Sequence, residues 1–261
     1  MTLKIVVIGT GHMGAWFARE LERDGHDVAV FDHKPESLQQ LSGLRALSAL
    51  PELQDVQPDI LLNAVSIRQT MTAFDACLPY LPASCVLVDV ASVKGELPDY
   101  YQRQAHRFAS MHPMFGPTFA NVEQLKEENA ILINESDPET YAFFEAFFQQ
   151  RHLNLFAFSF QEHDEMIAYS LTVPFASSLV FAACMKNTAV PGTTFKRHLT
   201  IAKGLLSEDD HLLAEILFNK NSVKQLENIT ARLEFLKHVI NGRDYDEAQR
   251  FFKTLRENIT P

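Results

Sequence analysis

The 261-residue chain has few cysteines, a single tryptophan and a deficit of positive charge. Its three cysteines, Cys77, Cys85 and Cys184, are odd in number, sit among apolar neighbours and show no Cys-x-x-Cys spacing. That pattern argues against a disulfide framework and against a zinc site, and it predicts buried thiols. Lys and Arg number 23 against 33 Asp and Glu, a formal net charge of -10 at pH 7. Such a balance leaves no broad basic face for nucleic acid or for an anionic membrane surface. No run of eighteen apolar residues exists, and the opening Met1-Thr2-Leu3-Lys4 leads into an apolar strand rather than into a signal peptide. The expectation is a cytoplasmic protein with no nucleic-acid and no membrane partner.

What is present is an ordinary globular mixture, 46% hydrophobic and 21% charged. Leu3 to Ile8 is a continuous apolar run ending at Gly9, as a parallel strand covered on both faces requires. Ala15, Phe17, Ala18 and Leu21 then fall on helical spacing, and Gly25 is placed to end that helix before the strand Val28–Phe31. Further strands are expected at 60–65, 85–90, 108–111, 130–133 and 153–156, with a helix over 138–150. The alternation predicts an α/β domain of the Rossmann type, a doubly wound sheet over residues 1–158. From Ser159 no strand is evident. Ser159 and Glu162 have capping-box spacing, and amphipathic segments run over 160–187 and 208–258, separated by a turn at 191–194. Residues 159–261 are therefore read as an all-helical domain, with no further regulatory or mutase module after it. Its aromatic and aliphatic stripes need a partner surface, so a homodimer through the helical domain is expected.

Gly9, Thr10, Gly11, His12, Met13 and Gly14 form a G-x-G-x-x-G stretch between the first strand and the first helix. There Gly9 permits the tight turn, Gly11 lets backbone approach a pyrophosphate, and Gly14 lets helix pack on strand. The helix N-terminus stabilises phosphate charge. Asp32 closes the second strand, where a carboxylate accepts hydrogen bonds from the adenosine ribose diol, which favours NAD. His33 and Lys34 directly after it are suited to a 2′-phosphate and keep NADP open.

In an open α/β sheet ligands bind beyond the carboxyl ends of the strands. Two polar clusters follow apolar runs there, Asp89-Val90-Ala91-Ser92-Val93-Lys94 and His112-Pro113-Met114-Phe115-Gly116-Pro117. Taken with the glycine motif and Glu162-His163-Asp164, their order resembles the prephenate/arogenate dehydrogenases of tyrosine biosynthesis, over essentially the whole chain. The resemblance implies oxidative decarboxylation of a small-molecule cyclohexadienol acid, with a helical dimerisation domain. It implies that His112 hydrogen-bonds the substrate hydroxyl and removes its proton, a task suited to histidine. Ser92 matches a serine that orients this histidine and the hydroxyl. Ser92 reads equally as a helix N-cap, and Lys94 reads as a solvated surface charge or, near the nicotinamide, as a contributor to substrate or cofactor electrostatics.

The substrate's carboxylates require cations. The segment 192–203 resembles the family stretch bearing a substrate-binding arginine, but the slot directly before Ile201-Ala202 is Thr200. Arg197, one helical turn earlier, is the favoured replacement, with Lys196 and Lys203 as alternatives. His163 and Asp164 are expected to help close the site, or to serve as helix-start chemistry. Val173-Pro174-Phe175 stands where many members carry a polar histidine. Two other readings remain, a two-domain hydroxyacid or imine reductase and a non-catalytic NAD-binding sensor.

Overall fold

The computed structural model describes residues 2–115, 125, 128–186, 190–207 and 210–260. Eight strands form one sheet: β1 (Lys4–Ile8), β2 (Asp27–Phe31), β3 (Arg45–Ala46), β4 (Ile60–Asn63), β5 (Val86–Asp89), β6 (Phe108–Pro113), β7 (Asn129–Ile133) and β8 (Asn154–Phe158). Their order is β3-β2-β1-β4-β5-β6-β7-β8. Every neighbouring pair is parallel except β6 with β7. β1, β4 and β5 are buried almost throughout, which is why their sequences read as unbroken apolar runs. Strand order reverses between β1 and β4, and this switch point opens the crevice beside the glycine loop.

Helices α1 (His12–Arg23), α2 (Pro35–Leu38), α3 (Leu53–Val56), α4 (Thr70–Cys77), α5 (Leu97–Gln102) and α6 (Pro138–Gln150) connect the strands. α1 ends as expected, because Gly25 adopts φ +86°. Trp16 and Phe17 of α1 pack with Phe147 and Phe148 of α6 and with Phe115, making an aromatic core beneath the sheet. α6 begins with Asp137 accepting from the Thr140 amide at 3.0 Å.

Two details depart from the sequence reading. β6 does not stop at Met111; it continues through His112 and Pro113 because β7 pairs with it antiparallel, His112 opposite Ile131 and Pro113 opposite Ala130. Cys184, expected to be buried, is exposed, whereas Cys77 and Cys85 are buried and burial pushes both thiols up to about 12.

After β8 the described chain is helical, in α7 (Phe160–Ala183), α8 (Thr193–Leu205), α9 (Asp210–Leu217), α10 (Ser222–Gly242) and α11 (Tyr245–Asn258). α7 opens on the capping box, with Glu162 accepting from the Ser159 amide at 2.8 Å while the Glu162 amide donates to the Ser159 hydroxyl at 3.2 Å. The turn before α8 is shorter than expected, since Thr193 and Thr194 already belong to the helix. The segment 208–258 is not continuous. α10 ends at Arg243 with φ +51°, and Asp244 then caps α11 through the amides of Asp246 and Glu247.

The chain divides into two compact units, one of Met1–Ile167 with Glu208–Asn219, the other of Ala168–Ser207 with Lys220–Pro261. α9 accordingly belongs with the sheet, where Glu215 lies 3.7 Å from Arg68. Among the described residues α7 is the one helix long and apolar enough to cross a membrane by length and composition, with a mean hydropathy of 1.6. Ser170, Thr172, Ser177 and Ser178 interrupt its apolar run, so a count of unbroken apolar residues passes over it. Its first two turns are bound into the sheet unit, which leaves about 24 Å of helix at 1.5 Å per residue. A hydrocarbon core is about 30 Å thick.

Candidate active site

The glycine loop meets its steric demands unequally. Gly9 has φ +83°, and a Cβ there would lie 2.7 Å from the Val65 nitrogen. A Cβ on Gly14 would lie 1.8 Å from the Gly9 carbonyl oxygen, so α1 can sit this close to β1 only without a side chain. A Cβ on Gly11 would meet nothing within 4 Å. Gly11 is also the N-cap of α1. The open space thus lies where a pyrophosphate would approach the helix N-terminus, and the loop fits a dinucleotide. We expect Gly14→Ala to cost about 1–3 kcal/mol by overpacking, measured as a lower urea midpoint, while Gly11→Ala unfolds like the parent. Equal midpoints for all three proteins would contradict this account.

Both oxygens of Asp32 are engaged, one of them by the glycine loop. Its Oδ2 accepts from the Thr10 amide at 2.7 Å and the Thr10 hydroxyl at 3.1 Å, and its Oδ1 accepts from the Lys34 amide at 2.9 Å. Burial acts to raise its pKa, but the Lys34 and Thr10 amides and the Thr10 hydroxyl outweigh it and hold the carboxyl below its ordinary range. Thr10 is fully buried, Met13 half-buried and His12 exposed. His33 Nδ1 lies 3.3 Å from Asp32 Oδ1 on a largely exposed ring.

At the carboxyl ends of β5 and β6 lies a second, almost fully buried cluster. His112 Nδ1 is 3.0 Å from His163 Nε2, and His163 Nδ1 is 2.9 Å from Asp164 Oδ1. Asp164 also accepts from the Lys94 and Gly95 amides, each at 3.0 Å, and the Asn219 side chain donates to its carbonyl at 2.9 Å. The Lys94 ammonium donates to Asp89 Oδ1 at 2.7 Å and to the Met111 carbonyl at 2.8 Å. Tyr101 donates to the other Asp89 oxygen at 2.8 Å, and the Ala91 amide donates to Oδ1 at 3.0 Å.

Burial, reinforced by His163 and Lys94, pushes His112 well below the ordinary histidine value of 6.5. Burial also lowers His163, against the opposing pull of Asp164. Burial works to raise Asp164, yet His163 and the Lys94 amide keep it below its ordinary value. Burial lowers Lys94, with Asp89 opposing. The chemical outcome is a neutral imidazole at a strand end, able to accept a proton at neutral pH.

The other residues singled out in the sequence fall as follows. Ser92 is half-buried in the segment after β5 and does not cap α5, whose N-cap is Glu96; the ring nitrogen Nδ1 of His112 is paired with His163. His163 is completely buried, with its two ring nitrogens facing His112 and Asp164. Lys196, Arg197 and Lys203 are exposed on α8, in the second unit. Thr200 bonds back to the Lys196 carbonyl at 3.1 Å, and Phe175 is half-buried on α7. Gly116 and Pro117 lie outside the described residues. Lys94 is no solvated charge, because its side chain is fully buried on Asp89. Asp89 at the end of β5 was the available signal for that pairing.

Fold and loop together define a Rossmann-type nucleotide-binding unit followed by a helical region. Residues 17–146 match the family model for the prephenate dehydrogenase nucleotide-binding domain, and the chain belongs to the prephenate/arogenate dehydrogenase family. It is 26% identical over 261 residues to the T-protein of Haemophilus influenzae, covering 96% of this chain and 62% of that protein. It is 25% identical to the chloroplastic arogenate dehydrogenase 2 of Arabidopsis thaliana, covering 95% of this chain and 73% of the relative. The chain thus spans less than two thirds of the length of the Haemophilus relative. In fold it is similar to the crystal structure of prephenate dehydrogenase from A. aeolicus in complex with hydroxyphenyl propionate and NAD+. That likeness has a TM-score of 0.84 at 20% identity, covering 99% of this chain and 97% of the other.

Proposed function

We propose that this chain is an NAD-dependent dehydrogenase that oxidises and decarboxylates prephenate or arogenate, with His112 as the base. The observation that carries the reading is the buried His112 imidazole at the end of β6, paired with His163 and lying in the same unit as a glycine loop that fits a dinucleotide. NAD, when bound, supplies the hydride acceptor. His112 takes the proton of the ring hydroxyl while hydride leaves the same carbon, which becomes a carbonyl. The ring carboxylate departs as carbon dioxide, its bonding pair completes the aromatic ring, and the resulting phenolate oxygen recovers a proton. Ser92 contributes to orienting the hydroxyl in this reading.

The ionised Asp32 supports NAD over NADP, since a 2′-phosphate would meet a like charge. Carboxylate recognition is assigned to Arg197, with Lys196 and Lys203 as the neighbouring cations. We further propose a homodimer through the helical region. Leu233 and Ile240 of α10, Phe252 and Leu255 of α11 and Ile259 are all exposed, apolar surface that a second copy would cover. The free cysteines are in keeping with a cytoplasmic setting.

The test is NADH formation with prephenate and, separately, arogenate, each repeated with NADP. The expected result is turnover of at least one acid, faster with NAD. Binding of NAD without turnover of either acid would favour a reductase or a sensor.

A further inference from the structure

His112 and His163 are 51 residues apart in sequence and their buried rings meet edge to face, with centroids 5.2 Å apart. The contact between Nδ1 of one and Nε2 of the other needs one hydrogen, and the surroundings decide which ring owns it. An ionised carboxylate only accepts. Asp164 is ionised, and its Oδ1 faces His163 Nδ1 at 2.9 Å, so the hydrogen on His163 sits on Nδ1. Neutral His163 therefore presents a bare Nε2 to His112. The shared hydrogen must then come from His112 Nδ1, and the lone pair of His112 resides on Nε2.

We propose that His163 is a positioning residue which, oriented by Asp164, fixes His112 in the Nδ1–H tautomer and so directs its Nε2 lone pair to the substrate hydroxyl. This deepens the assignment of His112 as the base and rests on it. When His112 Nε2 takes the hydroxyl proton, the imidazolium keeps its Nδ1–H on His163, and His163 keeps its own hydrogen on Asp164. One proton moves, from substrate oxygen to Nε2. The same cluster locks the geometry of Asp164, because the Lys94 and Gly95 amides bind both of its oxygens. The other ionisable groups packed here are Lys94, Asp89 and Tyr101, and Asp89 is already engaged by both Lys94 and Tyr101. The arrangement is that of a catalytic histidine whose tautomer is set through its far nitrogen, where a wrong tautomer costs about 10⁴-fold in the serine-protease case.

Two measurements test it. In the unliganded parent protein, two-dimensional ¹H–¹⁵N NMR of the imidazoles at neutral pH should show His112 protonated on Nδ1 and bare on Nε2. In steady-state kinetics, His163→Leu should lower kcat about 100-fold or more with KM within about threefold. His163→Gln should recover kcat to within about tenfold, because its amide oxygen accepts from His112 while its NH₂ donates to Asp164. An Nε2–H tautomer in the parent protein would overturn the proposal whatever the variants do. Equal losses in the Leu and Gln variants would do the same. A parent protein that turns over neither acid defeats the functional reading, and the NMR result then decides the tautomer alone.

Discussion

His112→Asn is expected to lower kcat by about 10²–10⁴-fold, the usual contribution of a positioned general base. The variant keeps a donor toward His163 Nε2 and a smaller side chain, so unfolding and NAD binding should match the parent within about twofold. The pH profile sharpens the prediction. His112 accepts a proton only as the neutral imidazole, and burial, with His163 and Lys94, holds its pKa well below 6.5. The parent kcat/KM should therefore rise with pH along a limb lying below 6.5 and be level across the neutral range. The residual activity of the variant should lack that limb. Retention of more than a tenth of parental kcat, or an acid limb that persists unchanged, would mean that another group takes the proton.

Lys94→Met is expected to be the most destabilising single change in the sheet unit, at about 3–5 kcal/mol. Both side chains of the Lys94–Asp89 pair are fully buried. Removing the ammonium leaves a carboxylate without its cation, supported only by Tyr101 and the Ala91 amide, and frees the Met111 carbonyl. Adding Asp89→Asn should recover about half of the loss, because the neutral amide still accepts from Ala91 and removes the stranded charge. Urea unfolding of the two variants against the parent provides the measurement. A loss under about 1 kcal/mol for Lys94→Met would show that the pair contributes little beyond its own desolvation.

The doubly wound class of the sheet, most of its strands and its glycine loop are legible in the sequence because they are written locally, whereas the strand order and the two-residue β3 are not. An apolar run, a G-x-G-x-x-G turn and a helical stripe follow one another within 30 residues, and Gly14 has to be small for reasons confined to β1 and α1. Lys94 was harder. It sits in a short polar stretch with Gly95 and Glu96, where a lysine ordinarily points to water, and its burial depends on Asp89 and on a carbonyl of β6. His163 followed a helix-start pattern so ordinary that capping explained its neighbours, and only the fold brings it against β6. The extension of β6 to Pro113 likewise depends on β7, whose pairing leaves no trace in residues 108–113. The cations of α8 stay undistinguished because Lys196, Arg197 and Lys203 share one charge and one exposed helix.

The hydrogen bond from Asn219 to the Asp164 carbonyl bears on how the protein is made. The sheet unit is discontinuous, and α9 with Asn219 rejoins it after the chain has passed through residues 168–207. At about 5–20 residues per second, a ribosome reaches Asn219 about 3–12 s after finishing β8. For that interval a nascent chain holds its whole sheet and His112, and from residue 163 onward both histidines, yet lacks the segment that fastens the backbone beside them. The capacity to bind a dinucleotide is thus acquired earlier in synthesis than the finished proton-accepting site.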